Sequence, residues 1–277
     1  MAAPLPLTRG RRVALATGAP LALLVIAWTA LSAVAWLGQG SYPVRLHLPA
    51  RAGTATVRVD AGDVRVRPGT AGRLGVTGTA HYALVRSRVT WQTAPSGVSV
   101  ISQCRQLAGP CGFDYTVTAP PGLATQVTSG SGDVTATGLA AAATLHSGSG
   151  TVRLWSLSGA VKATSGSGDI TGSVLTGPAV NAEAGSGSIT LSGVRSRDVT
   201  VSAGSGDITV TFASAPADVQ VSAGSGDVRL VLPRGRTAYR VRTRADSGAT
   251  AVTVPQDPAS ARVIVVTDGS GNITITH

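Results

Sequence analysis

A short glycine-rich motif, Gly-Ser-Gly, recurs through the chain and constrains its fold more than any other feature of the sequence. The residues that follow the first six evenly spaced copies are 18, 18, 19, 19 and 20 positions apart. These marker residues are Asp133, Thr151, Asp169, Ser188, Asp207 and Asp227, with Asn272 marking a seventh copy further along. A degenerate copy at 247–250 fills the long last gap, and a single copy at 61–64 precedes the series. Self-similarity at a fixed period indicates a repeat architecture in which each unit packs against its neighbours.

Alignment of the copies produces columns that alternate between apolar and polar character. The position after the marker is always apolar and β-branched: Val134, Val152, Ile170, Ile189, Ile208, Val228 and Ile273. Alternation with period two predicts strands with one buried face, and glycine permits the positive φ of a tight corner. The sequence therefore predicts an all-β solenoid with coils of 18–20 residues. A β-sandwich is the main alternative, but it would not require the same residue type in one column of every repeat.

The composition fits a stack of identical cross-sections. Only 4% of the residues are aromatic, so the core must be filled by small and β-branched side chains. The net charge of +10 comes almost entirely from arginines that are scattered along the chain. No run of five or six like charges occurs, which argues against nucleic acid as a partner.

The N-terminal segment predicts a single transmembrane helix ahead of the solenoid. Three arginines, Arg9, Arg11 and Arg12, precede an uncharged stretch whose apolar core covers residues 13–37. About 20 mainly apolar residues span a bilayer, and the flanking arginines should stay in the cytoplasm. The solenoid would then lie outside the cytoplasm on a cell membrane protein with one span. The small residues that end at Ala35 offer an alternative, a signal peptide cleaved after Ala35 that would release a secreted protein.

These features divide the chain into four parts. They are a short cytoplasmic tail (1–12), the transmembrane helix or uncleaved signal anchor (13–37), a linker with a first strand (38–54) and the solenoid ectodomain (55–277), in which irregular, loop-bearing coils (55–122) precede regular Gly-Ser-Gly coils (123–277).

The two cysteines, Cys104 and Cys111, lie close together in the irregular part. Outside the cytoplasm such a pair can oxidise and persist. Their spacing is not Cys-x-x-Cys, and no histidines lie nearby with zinc-finger spacing. The sequence therefore predicts a disulfide that closes a loop, rather than a metal or redox site.

Two stretches of the chain resemble the DUF4097 family, whose members are regarded as candidate bacterial adhesins. The first is Phe-Asp-Tyr-Thr-Val-Thr-Ala-Pro-Pro-Gly at 113–122, and the second is Val-Thr-Ser-Gly-Ser-Gly-Asp-Val at 127–134. The resemblance extends over roughly residues 55–277. It implies a right-handed parallel β-helix with a cell-surface role, and it supplies no catalytic residues. The loop at Cys104 and Cys111 departs from the family pattern.

The aspartates of the marker column are the main candidates for chemistry: Asp133, Asp169, Asp207 and Asp227. An active site needs distinct residues whose pKa values are pushed apart, whereas a residue repeated in nearly every coil has a structural task. Aspartate after glycine can shape a turn by bonding nearby backbone. Calcium needs six to eight oxygen ligands, more than one aspartate per coil supplies. We therefore predict turn-shaping aspartates, no catalytic residues, no metal site and no cofactor.

One outward column is rich in hydroxyl groups and arginine: Thr135, Arg153, Thr171, Thr190, Thr209 and Arg229. Such a face suits wall polysaccharide, anionic wall polymers or another envelope protein, although a merely solvated face has the same composition. The sequence predicts a non-enzymatic cell-envelope protein, a surface-displayed adhesion, binding or scaffold module. An accessory of envelope-stress signalling and a carbohydrate-active β-helix enzyme are the alternatives.

Overall fold

The computed structural model describes residues 9–51, 53–105 and 109–277. Within these ranges a helix, α1 (Arg9–Leu37), precedes 23 strands. In chain order the strands are β1 (Gln39–Pro49), β2 (Thr54–Ala61), β3 (Val64–Pro68), β4 (Arg73–Ala83), β5 (Arg88–Ala94), β6 (Gly97–Gln103), β7 (Gly112–Ala119), β8 (Ala124–Ser131), β9 (Val134–Thr137), β10 (Ala143–Ser147), β11 (Val152–Leu157), β12 (Val161–Ser165), β13 (Ile170–Leu175), β14 (Ala179–Ala184), β15 (Ile189–Val194), β16 (Asp198–Ser205), β17 (Ile208–Phe212), β18 (Asp218–Ser225), β19 (Val228–Val231), β20 (Arg240–Ser247), β21 (Thr250–Val252), β22 (Val263–Ser270) and β23 (Ile273–Thr276).

The strands form two sheets, one of 12 strands and one of 11, that share one apolar core. From β8 onward consecutive strands alternate between the sheets, so that each coil consists of one strand from each sheet joined by a Gly-Ser-Gly corner. Neighbouring coils pair in parallel and in register. Ile208, for example, lies between Ile189 and Val228, and all three side chains are fully buried. The prediction of an all-β solenoid with a β-branched inner column is confirmed.

The corners are glycine-rich chiefly because successive coils approach each other very closely there. A Cβ atom on Gly166 would collide with the carbonyl oxygen of Gly148 in the preceding coil, and one on Gly168 would collide with that of Gly150. Backbone conformation adds a second reason at some corners, such as Gly206 with a φ of 134°. Any side chain at these positions would force the stacked corners apart.

The order of the coils in the stack differs from their order in the chain at both ends. The coil formed by β2 and β3 lies between the coil of β8 and β9 and the coil of β6 and β7, although β6 and β7 follow it in sequence. At the other end the coil of β22 and β23 is inserted before that of β20 and β21, which becomes the outermost. The repeat motif does not encode this order, because each copy presents the same pairing surface.

Antiparallel strands close the N-terminal end of the stack. In the larger sheet, β4 pairs with β7 and β1 pairs with β4. In the smaller sheet, β5 pairs with β6 across a hairpin. The segment predicted as linker and first strand thus contains β1, the edge strand of the larger sheet.

The N-terminal segment is helical, and the chain passes from α1 into β1 through Gly38. Within the described residues, no helix combines the length and apolar character required to cross a bilayer, so the predicted transmembrane helix over 13–37 is not supported. The predicted cytoplasmic tail falls largely on residues 1–8, which lie outside the described residues.

Candidate binding face on the outer side of the larger sheet

A continuous row of threonine and arginine side chains crosses the outer side of the 12-stranded sheet. The strand pairings place the following residues side by side: Arg45, Thr77, Thr116, Arg65, Thr135, Arg153, Thr171, Thr190, Thr209, Arg229 and Thr274. All of them are exposed or half-buried. Six belong to the column predicted from the repeats, and the others come mostly from the irregular strands. This threonine–arginine row presents hydroxyl groups and guanidinium groups at the strand spacing of about 4.8 Å.

Small ligands occupy clefts of roughly 300–1,000 Å³. A groove of about 490 Å³ lies on this row beside Trp155. The indole of Trp155 is 57% exposed and offers an aromatic surface on an otherwise polar face. Around it stand six hydroxyl side chains and one guanidinium group: Thr135, Thr137, Arg153, Thr171, Ser173, Thr190 and Ser192. Trp155 was not predicted from the sequence, although an aromatic residue in an otherwise hydroxyl-rich outward column was the available signal.

A repeated backbone irregularity borders the groove. Four residues that occupy equivalent positions in successive coils have left-handed φ angles: Gly138 at 67°, Ser156 at 53°, Val174 at 56° and Gly193 at 63°. In each coil this left-handed residue turns the side chain that follows it, such as that of Leu157, back into the core. For β-branched Val174 this conformation is a true outlier, and backbone strain of this kind clusters at functional sites.

The guanidinium group of Arg153 is held in place beside Trp155 by an ion pair. Its Nη1 atom donates a hydrogen bond to Oδ2 of Asp133 in the preceding coil. This bond lowers the pKa of Asp133; partial burial opposes the effect, and the N–H of Thr151 supports it. Asp133 therefore stays ionised at neutral pH, and Arg153 is oriented along the sheet.

The predicted turn aspartates form a ladder that links one coil to the next. The Oδ1 atoms of Asp133, Asp169, Asp207 and Asp227 accept the backbone N–H of the marker residue in the following coil at 2.9, 2.8, 2.9 and 2.8 Å. Asn272 continues the ladder by accepting the N–H of Ala249 at 3.0 Å. The expected turn within one repeat is thus a bond between repeats. These carboxylates do not come together as a cluster, because the coils of Thr151 and Ser188 interrupt the column and only Asp207 and Asp227 lie in adjacent coils.

The two cysteines form a disulfide, with 6.0 Å between the Cα atoms of Cys104 and Cys111. The bridge closes an enlarged corner between β6 and β7, at the position where the regular coils carry Gly-Ser-Gly. Beneath it, the hydroxyl groups of Ser102 and Tyr115 lie 3.0 Å apart in the core, and burial raises the pKa of Tyr115 to about 12. Residues 106–108 of this corner lie outside the described residues.

Metal chemistry finds no support in the part of the chain that the structure describes. No group of three or more His, Cys, Asp and Glu side chains is arranged there to hold an ion.

The sequence of this chain matches the model of a known protein family. The family model described as Toastrack DUF4097 matches residues 51–192 and 171–276. The chain belongs to the Toastrack DUF4097 family. The resemblance read from the sequence is therefore confirmed, and in this Toastrack protein the matched residues include nearly all of the threonine–arginine row.

Two solved structures are similar to this Toastrack chain. A candidate cell adhesion protein from Clostridium sporogenes is 10% identical, covers 85% of this chain and 99% of its own length, and gives a TM-score of 0.27. A candidate adhesin from Bacteroides fragilis is 12% identical, with coverages of 85% and 97% and a TM-score of 0.49. Neither similarity bears on function at these values. No curated protein matches the chain.

Proposed function

We propose that this Toastrack protein is a non-enzymatic binding module of the cell envelope, and that it binds polysaccharide along the threonine–arginine row. The groove beside Trp155 is the observation that carries the proposal. An exposed indole can stack on the apolar face of a sugar ring, while the surrounding hydroxyl groups and Arg153 exchange hydrogen bonds with sugar hydroxyls. The row continues past the groove in both directions, which suits a polymer.

The disulfide supports a location outside the cytoplasm, because disulfides persist in oxidising compartments. Attachment to the cell membrane is part of the proposal. Cell fractionation with an antibody against the last coils tests it: protein that stays in membranes after high salt and alkaline carbonate supports attachment. A soluble product whose mass begins at Trp36 would replace attachment by secretion.

Co-sedimentation of the full chain, in nonionic detergent, with purified peptidoglycan sacculi tests polysaccharide binding. We expect Trp155→Ala to weaken binding at least about tenfold, as expected when an aromatic anchor is lost. Trp28→Ala is the matched control, since it removes a tryptophan that is 63% exposed and lies in α1, outside the groove. Equal binding by the wild type and Trp155→Ala would overturn the proposed face.

The same incubations separate binding from catalysis. A binding module leaves the sacculi intact, so no soluble saccharide fragments should appear over time. Fragment release that depends on the protein would show a carbohydrate-active enzyme instead.

A further inference from the structure

A second cleft lies at the N-terminal end of the stack, where both sheets finish in antiparallel strands. It has a volume of about 550 Å³ and opens between β1 and the β5 side of the smaller sheet. Its walls are partly apolar, formed by Val44 and Leu46 of β1 and by Val89 and Trp91 of β5. Strand β5 is exposed along nearly its whole length, and Trp91 is 52% exposed.

Four arginines line this cleft: Arg45, Arg86, Arg88 and Arg105. The lining contains no carboxylate. Over the described ranges 9–51, 53–105 and 109–277, none of the four guanidinium groups forms an ion pair with an acidic side chain. Four like charges converge on one concavity here without compensation, which costs stability unless a ligand supplies negative charge.

The arginines are carried by segments that the fold holds in place. The guanidinium carbon of Arg86 lies 5.6 Å from the ring centre of Tyr42 and 5.8 Å from that of Tyr82, in cation–π contacts. The hydroxyl of Tyr42 donates to the carbonyl oxygen of Ser87 at 2.9 Å, which ties β1 to the loop that carries Arg86 and leads into Arg88, the first residue of β5.

Two further features restrict the backbone next to Arg86 and Arg105. Leu84, at the start of the loop, has a φ of 60°, a strained conformation for a bulky residue. On the opposite rim the disulfide fixes Cys104, and Arg105 follows it directly.

We propose that the arginine cleft binds phosphate esters. Guanidinium groups recognise phosphate oxygens through paired, charge-assisted hydrogen bonds, and several arginines suit a ligand with more than one negative charge. The apolar wall at Trp91 and Val89 then receives the organic part of the ligand. Two kinds of molecule carry a phosphate ester of this type: a membrane lipid, in its headgroup, and a soluble polyol phosphate. The cleft shares no residue with the groove beside Trp155, although Arg45 also ends the threonine–arginine row. Substitutions at Arg86 and Arg88 therefore test the cleft independently of the row.

Calorimetric titration of the full chain in nonionic detergent tests the assignment. The probes are short-chain phosphatidylglycerol, glycerol 3-phosphate and zwitterionic short-chain phosphatidylcholine. Saturable binding of either anionic probe, weakened by added salt, supports the cleft. Preference for phosphatidylglycerol identifies a lipid source, and equal binding of glycerol 3-phosphate identifies a soluble one. Binding of phosphatidylcholine as tightly as phosphatidylglycerol, or no binding of either anionic probe, would overturn the proposal.

Paired substitutions locate the binding. We expect the double variant Arg86→Gln with Arg88→Gln to lose at least about tenfold in affinity, since charge-assisted hydrogen bonds disappear. Arg45→Gln with Arg105→Gln gives an independent test that leaves the Tyr42 stacking intact. The control, Arg234→Gln with Arg236→Gln, removes the same charge from an exposed loop near the other end of the stack. Equal losses in the control and in the cleft variants would show that net charge, and not the cleft, binds the anion.

Discussion

The aspartate ladder shows how a single side-chain atom stabilises a stack. Oδ1 of Asp207 accepts the N–H of Asp227, which lies at the corner between the paired strands. Asn272 makes the same bond with its amide oxygen, so an amide fits the column.

We expect Asp207→Asn to leave the free energy of unfolding nearly unchanged, because the acceptor oxygen is kept. Asp207→Ala should lower it by about 1 kcal/mol, the net worth of one hydrogen bond. Thermal or urea unfolding of the two variants measures the difference. A loss in Asp207→Asn as large as that in Asp207→Ala would mean that the charge, and not the acceptor, matters.

Asp133 should make part of the stability dependent on pH. Its folded pKa is lowered, chiefly by the hydrogen bond from Arg153. A lowered folded pKa stabilises the protein above the unfolded value of about 4, and this contribution disappears as the pH falls through the folded pKa. We therefore expect the stability difference between wild type and Asp133→Asn to shrink as the pH falls below about 4. Unfolding curves from pH 6 to pH 2.5, a range of about 3.5 units around that value, measure it, and a constant difference would contradict it.

Asp268 is a buried carboxylate that works against the fold. It is 4% exposed, lies between Ala223 and Ala245 of the adjoining strands, and neither oxygen has a hydrogen-bond partner among the described residues. Serine occupies the equivalent position in other coils, for example at Ser147, where its hydroxyl group bonds the corner backbone.

We expect Asp268→Ser to raise the free energy of unfolding by about 1–3 kcal/mol, the cost of an unsatisfied buried polar group. The exposed Asp246→Ser variant serves as control and should change it by less than about 1 kcal/mol. Calorimetric melting compares the two, and a lower melting temperature for Asp268→Ser would show that the carboxylate has a partner in the protein.

Residue types thus predicted some roles and not others. The spacing of Asp133 and its equivalents predicted a structural column, but their side-chain bonds cross between coils, which a repeat unit taken alone does not reveal. Trp155 was not predicted because an exposed aromatic residue acquires meaning only when neighbouring strands place hydroxyl groups around it. The arginine cleft was hidden for a similar reason: its four arginines are scattered between positions 45 and 105.

At the level of elements, the regular strands were predictable because their period-two alternation is local. The antiparallel strands β4 and β5 were not, since they lack the Gly-Ser-Gly corner, and β4 pairs with β1 and β7, which are distant in sequence. The left-handed residues that follow Trp155 and its equivalents were also missed, because only their φ angles distinguish them from regular strand.

The left-handed conformation of Val174 allows a test of stored backbone strain. Replacing Val174 by glycine removes the clash of a β-branched residue in the left-handed region, so we expect a gain of about 0.5–1 kcal/mol in the free energy of unfolding. Ser173→Gly is the control, because glycine in regular strand should cost about the same amount. Chemical denaturation of both variants measures the two signs. Destabilisation by Val174→Gly would show that the valine side chain contributes packing that outweighs its strain.

For the whole molecule, the disulfide secures the end at which the regular repeat fails. Reduction should lower the free energy of unfolding by about 2–3 kcal/mol in the loop-closure account of a short loop. Melting of the full chain with and without reductant measures the loss, and Cys104→Ser with Cys111→Ser should reproduce it. Thiol labelling of denatured, unreduced protein should find no reactive thiol. Two reactive thiols per chain would contradict both the bridge and the oxidising location.

The exchange of coil order has a consequence while the chain is being synthesised. Strands β2 and β3 leave the ribosome before both of the coils that flank them, so they must wait unpaired for residues 97–137. Strands β20 and β21 likewise wait for β22 and β23, against which they pair. Only between β8 and β19 do the order of synthesis and the order of stacking agree. Growth of the solenoid therefore begins most easily in the middle, and both ends close later, through contacts between segments that are distant in sequence.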